Sequence, residues 1–264
     1  MGKRVRWWAI SAAATSMIVM LFALAPPTDG LTGAAGVREE PLAGEATSSQ
    51  VTGSISGAVR FVGSPPDAAI LEMAADPFCL TAHQGETVTA DNVVVNDNGT
   101  LRWVFVYVRD PGAVGRSALP SAVELNQVAC VYQPRVLGMQ AGATIKITNS
   151  DNTLHNVNVQ AANNPSFNFA QPIPGMSIER SFAAPEVMIP VKCDVHGWMR
   201  AYIGVLPHPY FAVTAENGAF DISGLAPGDY VVDAWHETLG TRTLNVSVAA
   251  GAAANADFRF GNER

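Results

Sequence analysis

Four residues in two short segments carry side chains that bind soft metal ions. Cys193, His196 and Met199 follow one another at three-residue intervals, and His155 lies upstream of them. Thiolate and thioether sulfur stabilise Cu(I), imidazole nitrogen suits Cu(II), and a His2Cys plane with a weak axial methionine serves both oxidation states. These residue types in this order indicate one copper ion, of type 1, that gains and loses an electron.

Each of these residues taken alone has an ordinary structural explanation. A cysteine in a strand-rich chain is usually a small core residue, a methionine usually fills the core, and a lone histidine is usually a surface or core residue. Zinc is the alternative metal, but methionine is a poor zinc ligand and structural zinc sites hold more cysteines. Because four protein ligands leave no open position for a substrate, and no nucleophile–base arrangement accompanies them, we expect that the protein is not an enzyme.

Ligand segments that are distant in sequence need rigid strands to hold them together. Val, Ile and Thr recur in short runs that are interrupted by Gly, Asn and Pro turns, which is typical of an all-β sandwich. His155 begins one such run, and residues 192–199 form a loop between two others. The runs predicted as strands in this block are 123–131, 144–148, 155–159, 178–182 and 187–191.

The ligand segments resemble those of the cupredoxins, the small blue copper proteins that include plastocyanin, azurin and amicyanin. The Cys-x2-His-x2-Met spacing is similar to the short amicyanin-type loop, and the turn before the histidine is similar to the Asn-x-Asp-type turn of that family. The resemblance covers roughly residues 115–206 and implies a Greek-key β-sandwich. It also implies that the copper ligands are His155, Cys193, His196 and Met199.

The same resemblance implies roles for further residues around the ligands. Asn156, directly after the first histidine, matches the position that ties the two ligand loops together near the cysteine sulfur. His196 is expected to present its ring edge through an apolar patch and to pass the electron there. Trp198 is expected to build that patch, together with Met139, or to cover the copper from water.

A second resemblance concerns the C-terminal part of the chain. Residues 217–230 are similar to the carboxypeptidase-regulatory-like (transthyretin-like) sandwich, in which a Gly-x-Phe strand precedes a Gly-Leu-x-Pro-Gly-x-Tyr turn, and residues 57–66 are similar to its opening strand. We therefore expect a discontinuous second sandwich formed by residues 53–114 and 207–261, with block 115–206 inserted. One continuous larger β-structure is the alternative.

The N-terminus indicates export. Three cations, Lys3, Arg4 and Arg6, precede an apolar run at residues 7–25, so residues 1–25 are predicted to be a signal peptide or an N-terminal anchor. A flexible linker follows at residues 26–52. The protein is expected in the periplasm or outside the cell, with membrane contact only through a retained anchor.

An oxidising compartment permits disulfides, and the chain has three cysteines. With Cys193 assigned to the metal, Cys79 and Cys130 are predicted to form a disulfide. The alternative is two free thiols, one of which is a second metal ligand. His208 and His236 are expected to be surface or interface residues, and the alternatives are that they approach the copper loop or hold a second metal.

The charge of the chain limits its partners. The formal net charge of -7 argues against nucleic acid, because phosphate binding needs a surplus of Lys and Arg. The predicted function is one-electron transfer with a redox partner protein of unknown identity. The alternatives are a copper carrier or storage protein, and a binding or adhesion β-sandwich whose metal loop is structural.

Overall fold

The computed structural model of the protein describes residues 51–112 and 122–261. The predicted signal or anchor (1–25) and nearly all of the predicted linker (26–52) lie outside the described residues. Among the residues that the structure describes, no helix is long and apolar enough to cross a membrane.

The described residues are almost entirely β-structure, which confirms the predicted all-β class. One helix, α1, spans Pro77–Ala82, and one 3-10 turn spans Met73–Ala75. The strands in chain order are β1 Gly53–Val62, β2 Phe105–Val108, β3 Val123–Val128, β4 Val131–Gln133, β5 Val136–Gln140, β6 Thr144–Asn149, β7 His155–Val159, β8 Phe167–Gln171, β9 Ser177–Ser181, β10 Glu186–Lys192, β11 Arg200–Leu206, β12 Phe211–Val213, β13 Ala219–Leu225, β14 Gly228–His236, β15 Gly240–Val248, β16 Ala253–Asn255 and β17 Phe258–Gly261.

The first sandwich is built from the middle of the chain. One sheet has the strand order β5-β11-β10-β7-β8, and the other has the order β4-β3-β6-β9. Alternate residues of each strand point to opposite faces, so Ile145 and Ile147 of β6 are buried while Lys146 between them is exposed. The core between these sheets holds Leu125, Val157 and Ile189, all fully buried.

The second sandwich joins residues from both ends of the described chain. Strand β1 lies between β13 and β16 and also pairs with β17, and the facing sheet has the order β12-β2-β14-β15. Its separate core includes Ile55, Val106 and Val232. The predicted domain boundaries stay a prediction. The segment between β1 and β2 belongs in sequence to the second sandwich, but its residues Met73 and Cys79 pack in the core of the first sandwich.

A third apolar cluster lies where the two sandwiches meet, around Phe105 and Leu206. Glycine is required there, because a Cβ added at Gly138 would lie 2.5 Å from the ring of Phe211. A buried guanidinium, Arg135, forms ion pairs with Glu237, which directly follows β14 of the second sandwich, and with Asp91 of the segment between β1 and β2. Apolar packing and paired charges therefore fix the two sandwiches against each other.

Neither helix α1 nor the β3–β4 hairpin to which α1 is joined was predicted from the sequence. The helix begins at Pro77, with Asp76 as its N-cap accepting from the backbone N–H of Phe78 at 2.8 Å. The predicted strand 123–131 is broken by a two-residue turn at Ala129 and Cys130, both in the left-handed region. The disulfide between Cys79 and Cys130 joins helix and turn, which confirms the predicted pairing.

Candidate metal centre

The strand order of the first sandwich brings the two ligand segments to one end of one sheet. His155 is the first residue of β7, and Cys193 directly follows the last residue of β10. These strands are antiparallel neighbours, with Lys192 opposite Asn158. The start of β7 therefore lies beside the loop that leaves β10, and this loop ends at Met199, directly before β11.

Three donor atoms converge at this end of the sheet. The Nδ1 atoms of His155 and His196 are 2.9 Å apart, and the sulfur of Cys193 lies 3.8 Å from Nδ1 of His196. One ligand atom from each of the three residues falls within 4.8 Å of the others. All three side chains are buried, with at most 2% of each exposed.

The loop between β10 and β11 is closed around its own ligands. The backbone N–H of Met199 donates to the carbonyl of His196 at 3.0 Å, and the N–H of Cys193 donates to the carbonyl of Met199 at 3.3 Å. The N–H of His196 points at the sulfur of Cys193 at 3.4 Å. Met199 is 1% exposed and belongs to the same core cluster as Cys193, so the thioether lies inside the sandwich.

Asn156 connects the two ligand segments. Its Oδ1 accepts the backbone N–H groups of Asp194 at 2.6 Å and Val195 at 3.3 Å, and the thiol of Cys193 donates to it at 3.3 Å. Its own carbonyl accepts the hydroxyl of Tyr132 at 2.7 Å. One side chain thus holds the cysteine loop against the strand that carries His155.

Asp151 orients His155, and sequence reasoning missed it. Its Oδ2 lies 2.9 Å from Nε2 of His155, while its two carboxylate oxygens accept the backbone N–H groups of Ala129 and Cys130 at 2.7 Å each. A histidine that ligates a metal through one nitrogen usually donates its other N–H to such a group. The i, i+4 spacing of Asp151 and His155 in one turn was the available signal.

Asp76 has the same relation to His196. Its Oδ2 lies 3.0 Å from Nε2 of His196 and accepts the hydroxyl of Thr153 at 2.6 Å. This carboxylate comes from the segment before α1, far from the ligands in sequence, and no local pattern marks it. Both imidazoles therefore face each other through Nδ1 and are each held by a carboxylate through Nε2.

The expectation that His196 presents its ring edge to solvent is wrong. The side chain is 2% exposed, because the turn before α1 covers it and the sulfur of Cys79 lies 3.6 Å from its Nε2. Trp198 packs against the His196 ring at a centroid separation of 5.1 Å and donates its indole N–H to the carbonyl of Cys130 at 2.9 Å. Of the two expected roles of Trp198, covering the site is the one that this contact fits.

The surroundings shift the pKa of each ligand in a different direction. Burial lowers the pKa of His155, but hydrogen bonds to Asp151 and to the Cys193 sulfur outweigh burial and raise that pKa to about 9. Burial lowers the pKa of His196, and the hydrogen bond to Asp76 only partly offsets this effect. Burial raises the pKa of the Cys193 thiol, but the hydrogen bond to His155 and contacts with loop N–H groups outweigh burial and lower it.

The geometry indicates which ring nitrogens are available to a metal ion. The Nδ1 atoms of His155 and His196 lie 2.9 Å apart, while each Nε2 atom faces a carboxylate, so both imidazoles would hold the ion through Nδ1. Two imidazoles, a thiolate and a thioether fit copper in either oxidation state, whereas the thioether is a poor ligand for zinc.

The remaining histidines do not join this group. His208 and His236 are 5% and 1% exposed, so the expectation that they lie at the surface is wrong. Nδ1 of His208 accepts the backbone N–H of Tyr210 at 3.2 Å, and Nδ1 of His236 accepts that of Thr238 at 3.2 Å. Among the residues that the structure describes, neither belongs to a cluster of three potential metal ligands.

No protein-family model matches the sequence, and no curated protein matches it. Solved structures similar to parts of this chain include a Cu-containing nitrite reductase (NirK) from Thermus scotoductus SA-01, at 27% identity and a TM-score of 0.29 over 36% of this chain and 25% of that chain. A purple cupredoxin from Nitrosopumilus maritimus is 22% identical, with a TM-score of 0.28 over 31% of this chain and 98% of that one. Amicyanin from Paracoccus versutus is 19% identical, with a TM-score of 0.29 over 38% of this chain and 96% of that one. The chain spans about a quarter of the length of the nitrite reductase, and the likeness concerns about a third of this chain.

Proposed function

We propose that this protein is an exported type 1 copper protein that transfers one electron at a time. The observation that carries this proposal is the convergence of His155 Nδ1, Cys193 Sγ and His196 Nδ1 in one buried cluster, with Met199 in the loop that closes it. Copper held there would supply a one-electron couple between Cu(I) and Cu(II).

Each ligand has a separate role in this proposal. Cys193 would hold a copper ion through its thiolate and give it the most covalent contact, and His155 and His196 would hold it through their imidazoles. Met199 would supply a thioether as a weak fourth ligand. Asn156 holds the cysteine loop against β7, which would keep the donor atoms in place and the reorganisation small if the charge of a bound copper changed.

The two carboxylates bear on the reduction potential. A carboxylate that accepts a ligand's N–H increases the basicity of the imidazole, and here both ligating imidazoles have such a partner, Asp151 and Asp76. More basic imidazoles stabilise Cu(II) relative to Cu(I). We therefore expect a lower potential than the same four ligands would give without these carboxylates.

Burial of the donors favours electron transfer over the carrier alternative. A carrier must release its metal to a partner, which requires ligands that an incoming donor can reach. Here His155, Cys193, His196 and Met199 are each at most 2% exposed. The same four-ligand set supports the proposal that the protein is not an enzyme, since it leaves no coordination position for a substrate.

Export, the partner and the second sandwich complete the proposal. The disulfide between Cys79 and Cys130 is typical of a protein outside the cytoplasm, which supports a periplasmic or extracellular location. The partner is a redox protein, and neither nucleic acid nor a membrane takes part beyond a retained N-terminal anchor. We propose that the second sandwich is transthyretin-like and positions the copper sandwich through the Arg135 ion pairs.

The test is reconstitution of the apo protein with Cu(II), followed by visible and EPR spectra. The proposal predicts an intense thiolate-to-copper absorption band and a narrow copper hyperfine splitting in the wild type. The band should be absent in Cys193→Ser and shifted in Met199→Leu. Met139→Leu is the matched control, because Met139 is equally buried in the same core and is not a ligand. Copper binding without this band in the wild type would contradict the type 1 assignment.

A further inference from the structure

The disulfide is part of the wall of the metal centre. The sulfur of Cys79 lies 3.6 Å from Nε2 of His196, and the carbonyl of Cys130 accepts the indole N–H of Trp198. Both cysteines are 0% exposed, and their Cα atoms are 5.5 Å apart. The imidazole of His196 thus has the Cys193 sulfur beside Nδ1 and the disulfide beside Nε2.

Each disulfide sulfur belongs to its own group of metal-ligating side chains. Asp76, Cys79 and His196 form one group, with one donor atom from each residue within 4.8 Å of the others. Cys130, Asp151 and His155 form a second group by the same measure. While the two cysteines are bonded to each other, neither sulfur is a thiolate. Reduction would make both of them soft ligands with carboxylates already beside them.

We propose that reduction of the Cys79–Cys130 disulfide creates a second copper site, specific for Cu(I), next to the type 1 site. Cu(I) binds two thiolates in a nearly linear arrangement, and sulfur is its preferred ligand. The two cysteines are held close together by α1 and by the β3–β4 turn, so the thiols stay near each other after the bond opens.

The chemistry balances with a dithiol as the reductant. A thiolate of the dithiol attacks one disulfide sulfur, its second thiol releases the mixed disulfide, and two electrons and two protons pass to Cys79 and Cys130. The dithiol is oxidised to its own disulfide. One Cu(I) then displaces the two protons and binds both sulfurs, with no change in the oxidation state of copper.

The cover over the disulfide is held by apolar packing of Met73 and Phe78 and by a small group of polar contacts. Besides the disulfide, Asp76 bonds to Thr153 and His196, and His83 bonds to the carbonyl of Ala129 at 2.8 Å. Helix α1 has only six residues. Opening this segment would expose the sulfurs to a reductant without unfolding either sheet of the first sandwich.

The test counts copper in the folded protein before and after reduction. Apo protein is treated with a phosphine reductant, freed of it without oxygen, and assayed for thiols without denaturant. A copper(I)–acetonitrile salt is then titrated in against a chromophoric Cu(I) chelator. The expected result is one tightly held copper per chain with the disulfide intact, and two after reduction, when three thiols are counted.

This inference rests on the proposed function only for the identity of the first copper. Two variants test the two proposals separately. Cys193→Ser should lose the first copper and still gain one on reduction. The double variant Cys79→Ser and Cys130→Ser should hold one copper under both conditions. If reduced wild type holds no more copper than the intact protein, or if only one thiol becomes countable under native conditions, the second site is refuted and the first is unaffected.

Discussion

Replacing Asp151 by asparagine tests how the chain holds the metal centre. The carboxylate accepts three donors: Oδ1 accepts Ala129 N–H, and Oδ2 accepts Cys130 N–H and faces Nε2 of His155. Asparagine has the same shape, but an NH2 group replaces one of the two carboxylate oxygens. This NH2 group must then face an N–H donor, with which it cannot form a hydrogen bond. Hydrogen bonds to charged groups contribute about 1.5–3 kcal/mol and neutral ones about 0.5–1.5 kcal/mol. Weakening two of these hydrogen bonds and removing the third should therefore destabilise the apo protein by about 5 kcal/mol.

The same substitution should weaken copper binding. The loss of a carboxylate that orients a ligating histidine typically lowers metal affinity by about 10–100-fold. Urea unfolding of the apo form measures the first effect, and Cu(II) competition titration measures the second. Asp257→Asn is the matched control, because Asp257 accepts a single backbone N–H, from Ala58, on the exposed face of the second sandwich. If Asp151→Asn matched this control in both assays, the orienting role of Asp151 would be excluded.

Three further substitutions give separate predictions. Asn156→Ala removes the acceptor shared by the cysteine loop and the thiol of Cys193, so copper should be lost about tenfold faster to a chelator. Burial raises the pKa of Asp233, but hydrogen bonds from Arg109 and Thr243 outweigh burial and lower it. The stability that this carboxylate adds is therefore present above its unfolded pKa of about 3.9 and is lost as pH falls through its lower folded pKa. Asp233→Asn should therefore flatten the acid limb of urea unfolding from about pH 5 downward. Gly138→Ala places a methyl group 2.5 Å from a phenylalanine ring of β12 and should cost about 1–3 kcal/mol in urea unfolding.

Each of these predictions has a matched control or a contrary outcome. Asp221→Asn changes an exposed carboxylate of the second sandwich, and an equally flattened acid limb there would contradict the assignment to Asp233. Gly228→Ala places a methyl group no closer than 3.9 Å to other atoms, and an equal cost there would contradict the packing argument. Unchanged copper loss in Asn156→Ala would show that the loop holds its shape without this side chain.

The β-architecture follows from the local pattern of the sequence, but not every element does. Alternating runs such as 144–148 appear as strands because their apolar side chains share one buried face. The Asn-Asp-Asn-Gly sequence at residues 96–99 is typical of a tight turn and forms one, with Asn96 N–H donating to the carbonyl of Thr100 at 2.8 Å. Strand β8 was missed because only its pairing with β7 fixes its extended conformation, through neighbours such as Val157 and Phe169.

The metal ligands and their supports differ in how far sequence can identify them. Cys193, His196 and Met199 lie in one loop, so their spacing carries information. Asp76 lies 120 positions from His196 in sequence. Its role depends on how α1 packs over the site, and no local sequence pattern predicts that packing. The burial of His196 has the same origin. A long-range disulfide was predictable from cysteine count and compartment, but the approach of Cys79 to the ligand was not.

The central claim is that one metal ion is held by two imidazoles and a thiolate, and X-ray absorption at the copper edge tests it most directly. The measurement uses the reconstituted protein with its disulfide intact. We predict one short copper–sulfur bond and two copper–nitrogen bonds from histidine in the wild type, and no short copper–sulfur bond in Cys193→Ser. A first shell of oxygen and nitrogen atoms alone in the wild type would contradict this claim.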